Sequence, residues 1–465
     1  MTVSPCGTEF DVENKQLYQF ISACHEKCQT KKCSQILSIS LEIELLDPLV
    51  IVQGFSQANQ LHLYFENRVT TEAIAAVDAI AKLEITGKQR FAEVENFIQT
   101  SLANINCFGN THQFSGPHFF CSFSFFDEIV QADYPFPPAT VFLPRLQVSR
   151  LGDRSILVFN KIIHPQTDQI ETWQDLQETL QKIRCLKHPV NRVTYPHPIT
   201  LNNADNFKRS IVAALKTINN HHLHKIVLAN VLDISNNHPF NLYNSLNNLR
   251  QLYPSCYVFS LSNGRQNFIG ASPERLISIR NRQLVVDALA GSAPRGKTAA
   301  QDAQQANRLL HNDKERREHQ LVIDFITQSL STLGLQAHLL PPRLRQLANI
   351  QHLWTPISAE VPENIHPLQI VAQLHPTPAV AGVDRDIACQ EIRRYENFER
   401  GLYAAPLGWV DFQGNSEFIV GIRSALIDGC NARLYAGAGI VAGSEPEKEL
   451  AEIQLKLQAL LKALS

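Results

Sequence analysis

The sequence predicts an α+β fold, within the broad α/β class, built on a mainly antiparallel sheet, and three observations carry that prediction. Aromatic and β-branched residues dominate runs such as 118–126, 139–148 and 155–160, which suits the pleated surface of an antiparallel sheet. Runs at 256–261 and 267–271 read as a hairpin of strands. Two long stretches, 298–333 and 445–464, carry apolar residues at helical spacing. With 465 residues and 44% apolar content, the chain can bury one large core or two of ordinary size.

In chain order, the first forty residues are weakly patterned, 38–52 and 60–65 read as strands, and 71–103 reads as a helix broken near Gly87. The three aromatic strand runs follow, then a helix over 172–187. The Pro-rich, polar stretch 189–203 is the candidate boundary between two halves, 1–197 and 198–465. Beyond it come a helix over 204–219, a polar turn entering a strand by 232, the hairpin, and strands at 276–280 and 283–288. A turn over 290–297 precedes the long helix to Gly334. The remainder holds a helix over 385–400 and strands at 408–410, 416–425 and 433–436. A glycine turn leads into the closing helix, which is expected to start near Glu445 with Ser444 and Glu447 as a capping box.

Composition narrows the function classes. A formal net charge of −2 gives no general attraction to nucleic acid or to an anionic membrane, so anion recognition must be local. No apolar run reaches the roughly twenty residues that span a bilayer. The N-terminal stretch MTVSPCGTEFDVENK resembles neither a signal peptide nor a transit peptide, and a cytoplasmic protein is expected. The ten cysteines read as free thiols of a reducing compartment. Cys24, Cys28 and Cys33 beside His25 lack zinc-site spacing, as do His221, His222 and His224.

Two helices carry acids where apolar residues are expected. Glu315 and Glu318 fall on the side of Val322 and Phe325, and Glu449 and Glu452 repeat the same spacing along the edge of the last apolar stripe. Four such carboxylates make a plausible site for a hard divalent cation. Gly437, Gly439 and Gly443 suggest a backbone anion nest, whereas a dinucleotide fingerprint is not expected, because little chain follows to supply a second strand and its ribose-binding acid. Lys225 stands at the edge of a core strand, and Arg423 in the middle of another, where an acid or a ligand carboxylate is its expected partner.

Together these segments resemble the chorismate-utilising enzymes, most closely the isochorismate synthases. The resemblance rests on KIVLA at Lys225, GASPERL around Glu274, DALAGSAPRG through Ala290, KERREHQLVID around Glu318, HPTPAVAG at His375, YENFERGLYAAPLGW, GIRSA at Arg423, and the closing AGAGIV with EKELAEIQLK. It covers about residues 200–460, with a looser match before. It implies a single large domain of two packed, mainly antiparallel sheets flanked by helices, with the site between them. It implies Mg²⁺ on Glu318 and Glu452, with Glu315 and Glu449 completing the acidic cluster. Lys225 is then the general base that activates water, and Glu274 the general acid. Tyr403, Arg423, Lys456 and the backbone of Gly437, Ala438 and Gly439 contact the carboxylates of chorismate. Ala290, His352 and Ala379 line the same pocket. Relatives that make aminodeoxychorismate commonly have a lysine where this chain has Ala290, and ammonia-using relatives lack Lys225, so water is the expected nucleophile.

Asn230, Ser292, Ala293, Ala405 and Glu315 depart from the usual family pattern. The resemblance implies chorismate-to-isochorismate conversion feeding menaquinone, phylloquinone or siderophore synthesis. The alternatives are a salicylate synthase, which also eliminates pyruvate, and a non-catalytic chorismate- or metal-binding protein. A monomer without a glutaminase subunit, nucleic acid or membrane partner is expected.

Overall fold

The computed structural model describes residues 8–109, 112–186, 204–347 and 350–464, and the boundary stretch 189–203 lies outside them. The chain opens with α1 (Thr8–Lys31), β1 (Gln35–Ile43) and α2 (Pro48–Phe55). Asp47 accepts the Leu49 amide and Pro48 fills the first turn, so α2 begins where a strand to residue 52 was expected. Then follow β2 (His62–Asn67), β3 (Glu72–Ile85), α3 (Arg90–Leu102), β4 (Ile105–Phe108), β5 (His118–Phe123), β6 (Ala139–Leu151), β7 (Arg154–Ile163) and α4 (Gln169–Arg184). The helix expected across 71–103 is thus a strand and a shorter helix. The alanines of EAIAAVDAIAKLEI favour a helix locally, but pairing with β2 on one edge and β6 on the other holds this run extended.

The second half runs α5 (Ala204–Asn219), β8 (Lys225–Ser235), α6 (Leu242–Leu252), β9 (Tyr257–Ser262), β10 (Gln266–Ser272), β11 (Arg275–Arg280) and β12 (Gln283–Pro294). It continues with α7 (Ala299–His311), α8 (Asp313–Thr332), β13 (His338–Leu339), β14 (Arg343–Gln346), β15 (Ile350–Glu360), α9 (Pro367–Leu374) and β16 (Gly382–Val383). It closes with α10 (Arg385–Tyr395), β17 (Pro406–Asp411), β18 (Ser416–Val420), β19 (Ser424–Asp428), β20 (Asn431–Val441) and α11 (Pro446–Ala463). The single long helix expected from 298 is two, because the Asn312 side chain accepts the Lys314 and Glu315 amides and starts a new helix. The turn expected at 290–297 is mostly strand: β12 runs on to Pro294 with a bulge between Ala290 and Ser292.

Among the described residues every ladder is antiparallel except β1 with β4. The strands form one hydrogen-bonded network that forks at β6. One edge of this long strand pairs with β3, and the other serves β5 at its start and β7 at its end. One arm runs β16–β8–β20–β19–β10–β9–β2–β3–β6–β7–β1–β4, and the other runs β5–β17–β18–β11–β12–β15. The two sheets expected from the sequence are these two arms. Residues from both lie in one apolar core, including Leu63, Val77, Phe259, Ile277, Ile357 and Ile419. A second, smaller cluster packs Leu17, Ile21, Cys24 and Cys28 of α1 against Leu37, Ile39 and Leu176, so those two thiols are core atoms.

The closing helix docks through Leu450, Ile453, Leu457 and Leu460, all buried, as its stripe predicts. Its capping box does not form: Ser444 Oγ accepts the Val441 amide, and Glu447 is exposed beside Lys208. Ile453→Ala leaves a cavity at a fully buried position, and the expected loss is about 2–5 kcal/mol, read from the midpoint of denaturant unfolding.

Candidate active site

A cleft with about 1070 Å³ of empty space, counting the solvent at its mouth, opens between the two arms. One side is built from β8, β20 and α11, and the other from the β10–β11 junction, β12, β15 and the start of α8. Glu274, Ala290, Glu315, Glu318, His352, Ala379, Tyr403, Arg423, Gly437, Gly439, Glu449, Glu452 and Lys456 all line it. Ala438 does not: strand alternation turns its methyl to the other face of β20, where it is buried. Lys225 lies just beneath the lining on the same face of β8 as Val227, with 1% of its side chain exposed. Lys314 lines the cleft too, and residue patterning gave no sign of it.

Lys225 Nζ donates to Glu318 Oε1 at 2.7 Å, joining β8 to α8. Burial by itself would raise the Glu318 carboxyl, but the Lys225 ammonium and its hydrogen bond hold it below the usual range. On α11, Lys456 Nζ reaches Glu452 Oε1 at 2.7 Å and the Gly437 carbonyl at 2.8 Å. Glu315 and Glu449 are raised, first by burial and then by acidic neighbours, although Glu315 Oε2 accepts the Ser292 amide at 3.0 Å and Ser444 bonds Glu449. The four glutamates line the cleft from two helices, Glu315 and Glu318 from α8 and Glu449 and Glu452 from α11, yet among the described residues no three His, Cys, Asp or Glu side chains gather as a ready metal cage. Two of the four are turned onto lysines.

The glycines act differently from the nest that the sequence suggests. Neither Gly437 nor Gly439 has a positive φ, and both lie within β20. Ladder β19–β20 ends at Ser424 and Tyr435, so beyond that point one edge of β20 is open. Opposite Gly437 and Gly439 stand Ala229 and Val227, whose amides turn away to Glu396 and to the Ala381 carbonyl. These are therefore non-hydrogen-bonded pairs, and the Gly437 and Gly439 amides point along the open edge toward the cleft. Space for side chains is short: a Cβ on Gly437 would meet the Tyr403 hydroxyl at 2.7 Å and force a shift, and one on Gly439 would make a tight contact with Lys225 Cε at 3.3 Å.

Arg423 sits between β18 and β19 with φ +50°, not within a strand as expected. Its guanidinium is buried, its Nη1 has no hydrogen-bond partner, and burial lowers its pKa from the usual arginine value. His352 Nε2 is likewise unpartnered, and burial, with Arg423 and Lys456 nearby, keeps the ring neutral. Glu274 is the opposite of Glu318. Burial, reinforced by Asp287, pushes its carboxyl up to about 8 against the pull of Lys225 and Arg345. The cleft thus combines a neutral acid, a buried amine, an acidic lining and a buried arginine that lacks an anion.

The chain matches the family model of the chorismate binding enzymes over residues 20–465. It is 32% identical over 447 residues to the salicylate biosynthesis isochorismate synthase of Pseudomonas aeruginosa, covering 92% of this chain and 90% of that protein. It is 30% identical over 447 residues to the isochorismate synthase MenF of Bacillus subtilis, covering 92% and 93%. Its fold superposes on the menaquinone-specific isochorismate synthase MenF of Escherichia coli with a TM-score of 0.79 at 27% identity, over 96% of this chain and 100% of that one.

An unsatisfied buried guanidinium costs stability. Arg423→Met, similar in length and apolar, is expected to stabilise the ligand-free fold by about 1–3 kcal/mol in denaturant unfolding, and to weaken binding of any dicarboxylate ligand.

Proposed function

We propose that this chain, which belongs to the chorismate binding enzyme family, is an isochorismate synthase, converting chorismate to isochorismate by attack of water at C2 and loss of the C4 hydroxyl. The observation that carries this reading is the coexistence in one cleft of the buried Lys225 amine and the Glu274 carboxyl held near 8. Such a pair places a proton donor and a candidate proton acceptor against one cleft.

The all-oxygen donor set of Glu315, Glu318, Glu449 and Glu452 suits a hard cation, and Glu315 and Glu449 are raised by burial first and then by Glu318 and Glu452 beside them. Mg²⁺ held there would neutralise these carboxylates and bind the ring carboxylate of the substrate. The other carboxylate, on the enolpyruvyl group, is held by Arg423, the open-edge amides of Gly437 and Gly439, Tyr403 and Lys456. His352 stands beside that group as a neutral imidazole. Ala379 keeps the pocket wall small, and Ala290 offers no side-chain nucleophile to compete with water.

Lys225 takes a proton from water as its oxygen bonds to C2. The ring double bonds shift and the C4–O bond breaks. The Glu274 proton passes to the departing oxygen, which leaves as water. One water enters and one leaves, so the reaction is a net isomerisation. No glutaminase is required, since water is the nucleophile.

Incubation with chorismate and Mg²⁺, with products resolved by chromatography, is expected to yield isochorismate. Unchanged chorismate overturns the enzyme reading, and salicylate with pyruvate redirects it to a salicylate synthase. Lys225→Gln is expected to lower kcat by about 10²–10⁴ with an unchanged circular dichroism spectrum. EDTA is expected to stop turnover and added Mg²⁺ to restore it. Because Glu274 donates its proton, activity persists below its pKa and falls as pH rises through about 8, which a pH profile of kcat/KM checks.

A further inference from the structure

The Glu274 side chain is a cleft wall, but what surrounds it from behind has no part in the chemistry described so far. Asp287 is two residues before Leu289 on β12 and shares its face, so it lies directly beyond the cleft lining. Its side chain is 1% exposed and three donors converge on it. Asp287 Oδ1 accepts Arg275 Nη2 at 2.7 Å and Trp354 Nε1 at 2.9 Å, and Oδ2 accepts Arg345 Nη1 at 3.1 Å. Arg345 also lies over the Trp354 ring at 5.8 Å and donates to the Ser255 carbonyl at 3.3 Å.

This cluster is attached to Glu274 by the chain itself. Arg275 is the next residue, and the Glu274 backbone is fixed on both sides: its amide donates to Ser272 Oγ at 3.2 Å and its carbonyl accepts the Val420 amide at 3.1 Å. The Glu274 main chain is therefore held beside Arg275, whose guanidinium is bonded to Asp287. The charged and titratable groups facing the Glu274 carboxyl are Asp287 from β12, Arg345 from β14, Lys225 from β8 and the Tyr403 phenol from the segment before β17, with Arg275 following in β11. Among them Asp287 is the anion, and its position is locked by three donors from three strands.

We propose that Asp287, clamped between Arg275, Arg345 and Trp354, is a positioning residue whose fixed negative charge adds to burial in holding Glu274 protonated for its role as acid. The inference rests on the isochorismate synthase reading for the role, but not for the coupling. A carboxylate behind a carboxyl group opposes its ionisation, and Arg345 favours it; the raised value of Glu274 carries both contributions. The two side chains thus pull the alkaline limit of activity in opposite directions. The same cluster also gives the indole of Trp354 and two guanidinium groups a buried acceptor, so a purely structural role must be separated from the electrostatic one.

Opposite-sign variants make that separation. In Asp287→Asn the alkaline limb of the kcat/KM profile is expected to move down by roughly one pH unit, and in Arg345→Gln it is expected to move up. A structural role alone lowers the rate evenly at all pH values in both. A second readout needs no turnover: the infrared carboxyl stretch of protonated Glu274, identified by its loss in Glu274→Gln, is titrated in each variant. Its midpoint is expected to fall in Asp287→Asn and rise in Arg345→Gln. Midpoints that stay at the wild-type value in both variants overturn the proposal. A wild-type protein that leaves chorismate unchanged overturns the function instead, while the infrared titration still decides the coupling. Should Asp287→Asn fail to fold, Arg345→Gln alone carries the decision: an unmoved midpoint there overturns the proposal.

Discussion

The Lys225–Glu318 ion pair is the constraint around which the site is arranged. Lys225 belongs to β8 in one arm of the network, and Glu318 to α8, which packs on β12 in the other arm. A lysine this buried requires a charged partner close by, and placing that partner fixes how the arms meet. Gly439 lies over the pair because a side chain there would press on both Lys225 and Glu318. Lys456, one helix away, repeats the arrangement by binding Glu452 and the Gly437 carbonyl, which ties α11 to the open edge of β20. A buried ion pair is seldom the most stable choice for a core, so its presence points to a use beyond stability.

The two central glutamates show how environment separates the roles of identical side chains. Glu318 has an ammonium within hydrogen-bond distance and stays ionised, whereas Glu274 has burial and Asp287 and stays protonated. Arg423 follows the same logic in reverse. Its Nη1 is buried in the cleft with no hydrogen-bond partner among the described residues, which costs the ligand-free fold some stability.

Local patterns were legible where one segment decides the outcome. The apolar stripe of α11, the inward acids of α8 and the aromatic strands could be read from spacing, and the motif resemblance brought Glu274, His352 and Tyr403 into the same set. The misread segments are those where a distant partner decides. β3 is alanine-rich and becomes a strand only because β2 and β6 pair with it. The open edge of β20 depends on where β19 begins, and no feature of the glycines themselves reveals it. Arg423 looks like a strand residue until Gly421 and Ser424 are seen to divide β18 from β19. Asn312, by contrast, was a readable cap between two helices that the long amphipathic run concealed.

The central claim is that Lys225 and Glu274 act on two different oxygens, one entering from water and one leaving from C4. Turnover in oxygen-18-labelled water, followed by mass spectrometry of the isochorismate formed, addresses that claim directly. One labelled oxygen at the C2 hydroxyl is the result predicted. Unlabelled isochorismate, made by internal transfer of the C4 hydroxyl, would contradict it.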